Sequence, residues 1–278
     1  MPVSRRHFIA GTCSLAVLPA CVSTPAAGDR LQEVVDRHVR ARGGAAALDR
    51  VRSCLIELDI SERGQTIHGR YAADAAGLVR IDIYAGGALV YREGVDARGV
   101  WLWPQDSEAP RASEATGAAN ALLHGAENHL FGLHRFAERG HRLRLMPAER
   151  IEGVEYPVIK VVYRTGHTSY FYVDPQTWLI VRRRDLRAYH PDVDSTEQRI
   201  ETLFSDFQSV DGVVASHHDV DREIGSGVIL ASHQVTRRIL NPRLPEGVFD
   251  RSYRPGLPVL TDRSGDGASR RSGVVHPA

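Results

Sequence analysis

From Val51 to Leu240 the chain keeps returning to an apolar–polar alternation of period two, interrupted by one segment with helical spacing. Alternation of this kind marks strands with one face buried. The first strand is Leu55-Ile56-Glu57-Leu58-Asp59-Ile60, followed by strands over 65–72, 78–84, 88–94 and 99–103. Asp74, Gly77, Gly86-Gly87 and Asp96 punctuate the gaps. The pattern resumes over 142–146, 156–163, 168–173, 179–186, 196–204, 213–223 and 228–240, with Asp174-Pro175-Gln176-Thr177 and Gly225-Ser226 as hairpin turns. The gaps are too short for the crossovers that parallel strands need, so the strands form an antiparallel meander. Leu31, Val34, Val35, His38 and Val39 recur at helical spacing ahead of the first strand, with Asp29 as cap, and a longer helix is predicted over 116–138. The expectation is an α+β domain over 29–255: one curved antiparallel sheet of 11–12 strands with helices covering one face.

The termini read differently. Arg5-Arg6 followed by a short apolar run has the regions of a secretory signal, so residues 1–20 are expected to be removed. Residues 21–28 read as a tether, and 256–278, rich in Arg, Ser and Gly toward the end, as a disordered tail. Thirty-five basic against 34 acidic residues give a net charge of +1, which argues against a nucleic-acid binder. No apolar stretch reaches the roughly 18 residues of a membrane span. Of the three cysteines, Cys13 leaves with the signal and Cys54 sits in an apolar strand as a small buried hydrophobe.

Ser4-Arg5-Arg6-His7-Phe8-Ile9 resembles a twin-arginine export signal, and Leu18-Pro19-Ala20-Cys21 resembles a bacterial lipobox whose cysteine is acylated. Three further stretches carry a resemblance to a family. They are Ala41-Arg42-Gly43-Gly44 through Ala47-Leu48-Asp49-Arg50-Val51, the hairpin Ser169–Ile180 with its Asp-Pro-Gln-Thr turn, and Leu240-Asn241-Pro242 with Pro245 and Phe249. Together with the element order they resemble the LolA/LolB-like lipoprotein carrier and receptor superfamily. That resemblance implies an unclosed half-barrel with a helical plug and an apolar interior that holds acyl chains. It implies a periplasm-facing protein, anchored through lipidated Cys21 and most naturally in the outer membrane. The ligand would be a lipid or acylated protein and the chain a monomer. A protein-binding envelope-stress sensor on the same scaffold is the alternative that the resemblance leaves open.

The pocket-lining candidates are Leu58, Ile81, Ile83, Tyr91, Trp101, Trp103 and Phe171 on strands, with Leu122, Leu130, Leu133 and Phe136 on the helix. No catalytic residue, metal or cofactor is expected, because nucleophile-elbow, zinc-protease and phosphate-loop motifs are absent from the sequence. His124, His129, His134 and His141 fall close together in the chain, but the first three are five apart, which turns neighbours about 140° from each other on a helix and scatters them. A two-residue loop at Gly225-Ser226 would set His218 opposite His233, with Asp219 and Asp221 on the other face. Arg182-Arg183-Arg184 reads as a solvated outer surface.

Overall fold

The computed structural model describes residues 27–113, 116–190 and 193–259; the signal, Cys21 and the segment from 260 onward lie outside them. Helices α1 (Ala27–Ala41) and α2 (Ala45–Leu48) precede strands β1 (Ser53–Glu62), β2 (Gln65–Asp74), β3 (Val79–Ala85), β4 (Ala88–Asp96), β5 (Gly99–Pro104) and the two-residue β6 (Arg111–Ala112). Helix α3 (Thr116–Leu130) follows, then a 3₁₀ turn at Leu133–Arg135. The second half holds β7 (Arg142–Ile151), β8 (Val154–Val162), β9 (Thr168–Val173), β10 (Ile180–Arg187), β11 (Gln198–Val210), β12 (Val213–Glu223) and β13 (Ile229–Leu240). The expected helix over 116–138 is thus split at Gly132, and Asp29 lies inside the first turn of α1 rather than at its cap.

The thirteen strands among the described residues form one antiparallel, unclosed sheet in the order β6-β5-β4-β3-β2-β1-β13-β12-β11-β10-β9-β8-β7. The pairing of β1 with β13 joins the two meanders. Because β6 and β7 are the free edges, α3, which links them in the chain, must cross the open side. It touches β2 through β5 on one flank and β10 on the other. The curved antiparallel sheet expected from the alternation, and the unclosed half-barrel that the resemblance implies, are the fold observed.

The alternation gives the sheet an inner face, under α1 and α3, and an outer one. Cys54, Ile56, Tyr71, Ala73, Val79, Val95, Ile159, Val161, Phe171 and Val173 project inward and form one core with Val34, Val35 and Val39 of α1 and Ala126 and Leu130 of α3. On the outer face the segment after β13 crosses β1 to β5. There Val248 and Leu257 pack on Leu55 and Ala72. Leu257, placed in the tail by sequence, is only 2% exposed. Arg80 and Asp82, fully buried on this face, clamp the segment. Arg80 donates to the carbonyl oxygens of Val248 and Pro255 at 3.0 and 2.7 Å, and Asp82 accepts from the Leu257 amide at 2.6 Å.

The sheet is parted at one place. β12 pairs with β13 only from His218↔Gln234 to Arg222↔Ile229. Beyond that, Val213–Ser216 pair with β11 alone and Val235–Leu240 with β1 alone. The α1–α2 connection enters this opening, and the Val214 amide donates to the Arg42 carbonyl at 3.0 Å.

Candidate functional site

Strand register arranges the inner face in rows. Cys54, Ala73, Val79 and Val95 lie side by side across β1 to β4, and all four are buried. The next row holds Arg238, Ile56, Tyr71, Ile81 and Glu93. The third runs Val235, Leu58, Gly69, Ile83 and Tyr91. Here Val235, Leu58, Ile83 and Tyr91 are all only half-buried, as are Ile81 above them and Leu122 on α3. The apolar floor therefore passes from closed packing at one end to solvent-accessible surface at the other. A groove of about 200 Å³ lies between α1 and the β7 edge, lined by Val34, Leu145, Met146, Ala148, Pro157 and Trp178.

Of the residues singled out by sequence, Leu58, Ile81, Ile83 and Tyr91 lie in adjacent rows of the accessible floor, and Leu122 is a partly accessible residue of α3. Leu130, Leu133, Phe136 and Phe171 belong to the closed core, each at most 4% exposed. Trp101 and Trp103 are a correction. They pair with Gly94 and Arg92 on the outer face, where the guanidinium groups of Arg92 and Arg254 cover the Trp103 ring at 4.7 and 4.5 Å. Strand alternation gives the inner positions of β5 to Val100 and Leu102 instead.

The histidines also fall differently. His124 and His141, 17 positions apart in sequence, meet at Glu127 in a buried knot. His124 Nδ1 donates to Glu127 Oε2 at 2.6 Å, and His141 Nε2 lies 2.9 Å from the same oxygen. Glu127 Oε1 accepts from Arg139 at 3.1 Å and from Arg164 at 2.7 Å. Burial opposes ionisation of Glu127, but the His124 bond and the electrostatic pull of His141, His124 and Arg164 outweigh it and hold the carboxyl at about 2. These three side chains have the donor chemistry of a two-histidine, one-carboxylate metal set. Their polar atoms nevertheless have protein neighbours already: Thr165 Oγ1 donates to His124 Nε2 at 3.0 Å, and the Arg164 amide donates to His141 Nδ1 at 3.1 Å. The knot ties α3 to the β8–β9 turn, and Tyr163, which donates to Asn128 at 2.7 Å, stacks on His124 with centroids 4.2 Å apart. Sequence spacing on one helix could not reveal a partner supplied by another element.

On β12 and β13 the pairing is Asp219↔His233 and His218↔Gln234, one residue away from the expected register. Next to the turn the expected register holds, with Arg222↔Ile229 paired and the Glu223 amide bonded to the Val228 carbonyl; a bulge at Leu230 of β13 then shifts it by one. One residue of slip exchanges faces. His233 therefore donates to Asp219 at 2.8 Å on the inner face, while His218 contacts Ser205 and Ser232 on the outer. Arg182 and Arg184 do point outward, but they are bound at 2.7 and 2.8 Å to buried Glu201 rather than left to solvent.

No protein-family model matches the chain, and no curated protein matches it by sequence. Solved structures do match. A DUF1329 family protein from Desulfovibrio piger aligns with a TM-score of 0.52 at 13% identity, over 79% of this chain and 97% of its own. A LolA superfamily protein from Nitrosomonas europaea gives 0.51 at 12%, over 79% and 96%. A domain assigned as an outer membrane lipoprotein-sorting protein, from Vibrio parahaemolyticus, gives 0.53 at 10%, over 80% and 97%. At these identities the likeness is one of fold: the chain carries the half-barrel fold of LolA superfamily proteins.

Proposed function

We propose that this chain is an envelope protein, acylated at Cys21 and facing the periplasm, that binds the alkyl chain of a lipid or acylated protein on the inner face of its half-barrel. The observation that carries the reading is the row Val235, Leu58, Ile83 and Tyr91, apolar positions on the inner face that keep partial access to solvent. Such a row offers apolar surface that a fully packed interior does not. Covering it with an alkyl chain contributes about 0.8 kcal/mol per buried methylene. Likeness to a domain assigned to lipoprotein sorting supports the same reading, as does the lipobox-like Leu18–Cys21. Helix α3 is the element that would move to admit the chain.

The test uses the full chain with Cys21→Ser, so that its own acyl groups cannot compete, and a fluorescent alkyl probe. Leu58→Arg and Ile83→Ser should each weaken the probe by about tenfold or more, while Val259→Arg, at an exposed position, leaves it unchanged. Equal binding in all three variants rejects the inner floor as the site. Capture of a protein partner with no alkyl probe bound would favour the sensor reading.

A further inference from the structure

Two arginines on the inner side make no ion pair or hydrogen bond to a carboxylate among the described residues, although the charge of Asp219 reaches Arg238 from further off. Arg238 extends the Tyr71 row, opposite Ile56. Its Nη2 donates to the Ser216 carbonyl at 2.9 Å, and its Nε is buried with no acceptor. Arg42, in the α1–α2 connection, donates from Nε to the Val214 carbonyl at 3.2 Å. Val214 and Ser216 are two residues apart on the stretch of β12 that has parted from β13. Both guanidinium groups are therefore held at the same opening of the sheet, by backbone oxygens alone.

The neighbouring acids are engaged elsewhere. Asp219 accepts from His233. Asp221 accepts from Arg187 and Thr202, and Asp185 is bound by Arg187 and Arg183. Asp206 accepts from Gln208 and Gln234. The Tyr71 hydroxyl, on a side chain 8% exposed, is buried and has no hydrogen-bond partner. Above it on α3 stands His129, whose ring meets Tyr71 with centroids 4.9 Å apart and which keeps access to solvent. Desolvation and the charges of Arg238, Arg183 and Arg42 push His129 down to about 3, so it adds no counter-charge and no further cation near neutral pH. Burial and the Arg238 charge also lower Arg42, to about 10. Two like charges held together with a free N–H and a free O–H are short of one anion.

We propose that Arg238, Arg42 and the Tyr71 hydroxyl form a seat for a carboxylate or phosphate group, the head of an amphiphile whose alkyl chain lies along Leu58, Ile83 and Tyr91. This deepens the alkyl-binding reading and names its ligand class as anionic. Guanidinium groups suit both heads because they present paired N–H donors to paired oxygens. The Arg238 and Leu58 rows are adjacent, so head and chain occupy neighbouring positions on one face.

Palmitate, hexadecanol and inorganic phosphate, titrated into the full Cys21→Ser chain, separate the possibilities. The seat predicts palmitate binding about tenfold tighter than hexadecanol. Arg238→Gln and Arg42→Gln should shrink that preference severalfold and leave hexadecanol binding unchanged, which also shows that the variants fold; Arg238→Lys should keep part of it. Phosphate binding that depends on Arg238, with neither alkyl probe bound, keeps the seat and assigns it to a free anion, against the alkyl reading. Equal affinity for palmitate and hexadecanol, without Arg238-dependent phosphate binding, overturns the seat and leaves the alkyl reading standing. Failure of all three probes overturns both.

Discussion

Tyr71 of β2 and His129 of α3 face each other with ring centroids 4.9 Å apart, tilted by 58°. The contact fixes how far the crossing helix stands above the floor. On the other flank the Glu127 knot anchors the same helix to the β8–β9 turn. Leu122, one turn ahead of the knot on the same helix, packs against the core yet keeps partial access to solvent.

Loss of the Glu127 charge should loosen the helix on that flank. Glu127→Gln leaves the buried His124 and His141 and the guanidinium groups of Arg139 and Arg164 without their shared anion. Removing one partner from a buried charge cluster costs about 3 kcal/mol or more. Denaturant titration should show a lower midpoint, and hydrogen exchange should rise in α3 before the strands.

The outer clamp has its own signature. Asp82→Asn removes the charge facing Arg80 and weakens the acceptor for the Leu257 amide. Residues 244–257 should then become sensitive to limited proteolysis, while the inner face keeps its alkyl probe. Unchanged protease resistance would show that the apolar packing of Val248 and Leu257 holds the segment alone.

Much of this was legible in the sequence. Period-two alternation identified most strands and the antiparallel meander, and the Asp174 turn forms as read, with Asp174 Oδ1 accepting from the Gln176 and Thr177 amides at 3.0 and 2.7 Å. What alternation could not supply was which of its two faces turns inward. Trp101 and Trp103 are apolar and so invite the inner face, but the segment after β13 supplies an outer cover for them that no local pattern announces. The His218–His233 pairing failed for a related reason, since a bulge at Leu230 of β13 slips the register by one residue and exchanges the faces. The arginine seat was invisible because it joins the α1–α2 connection, β2 and β13, whose proximity exists only once β1 pairs with β13.

Acid should weaken the fold in a defined window. His38 is 2% exposed, and its Nδ1 donates to the Trp178 carbonyl at 2.9 Å. Burial and the Arg42 charge lower it from 6.5 to about 3, although the Trp178 bond works the other way. As pH falls below 6.5 the unfolded chain takes up a proton that the native state refuses, so stability drops. By pH 5 the loss from His38 alone is about 2 kcal/mol. His233, raised by Asp219 against its burial, loses its contribution only as pH rises above that window. His38→Asn should flatten the slope of stability between pH 6.5 and 5; an unaltered slope would assign it to other groups.

The connection that carries Arg42 leaves no room for a side chain at Gly43. Its φ is 108°, and an added Cβ would collide with the Gly212 carbonyl oxygen. Gly43→Ala should cost about 1–3 kcal/mol from backbone strain alone. It should also displace Arg42 and so reduce the preference for palmitate over hexadecanol.

Native mass spectrometry of the full Cys21→Ser chain, purified from cells without detergent, tests alkyl binding most directly. The account predicts a retained mass of an alkyl-bearing molecule that disappears in Leu58→Arg. A bare polypeptide mass, in a chain that also fails to take up added palmitate or hexadecanol, would contradict it.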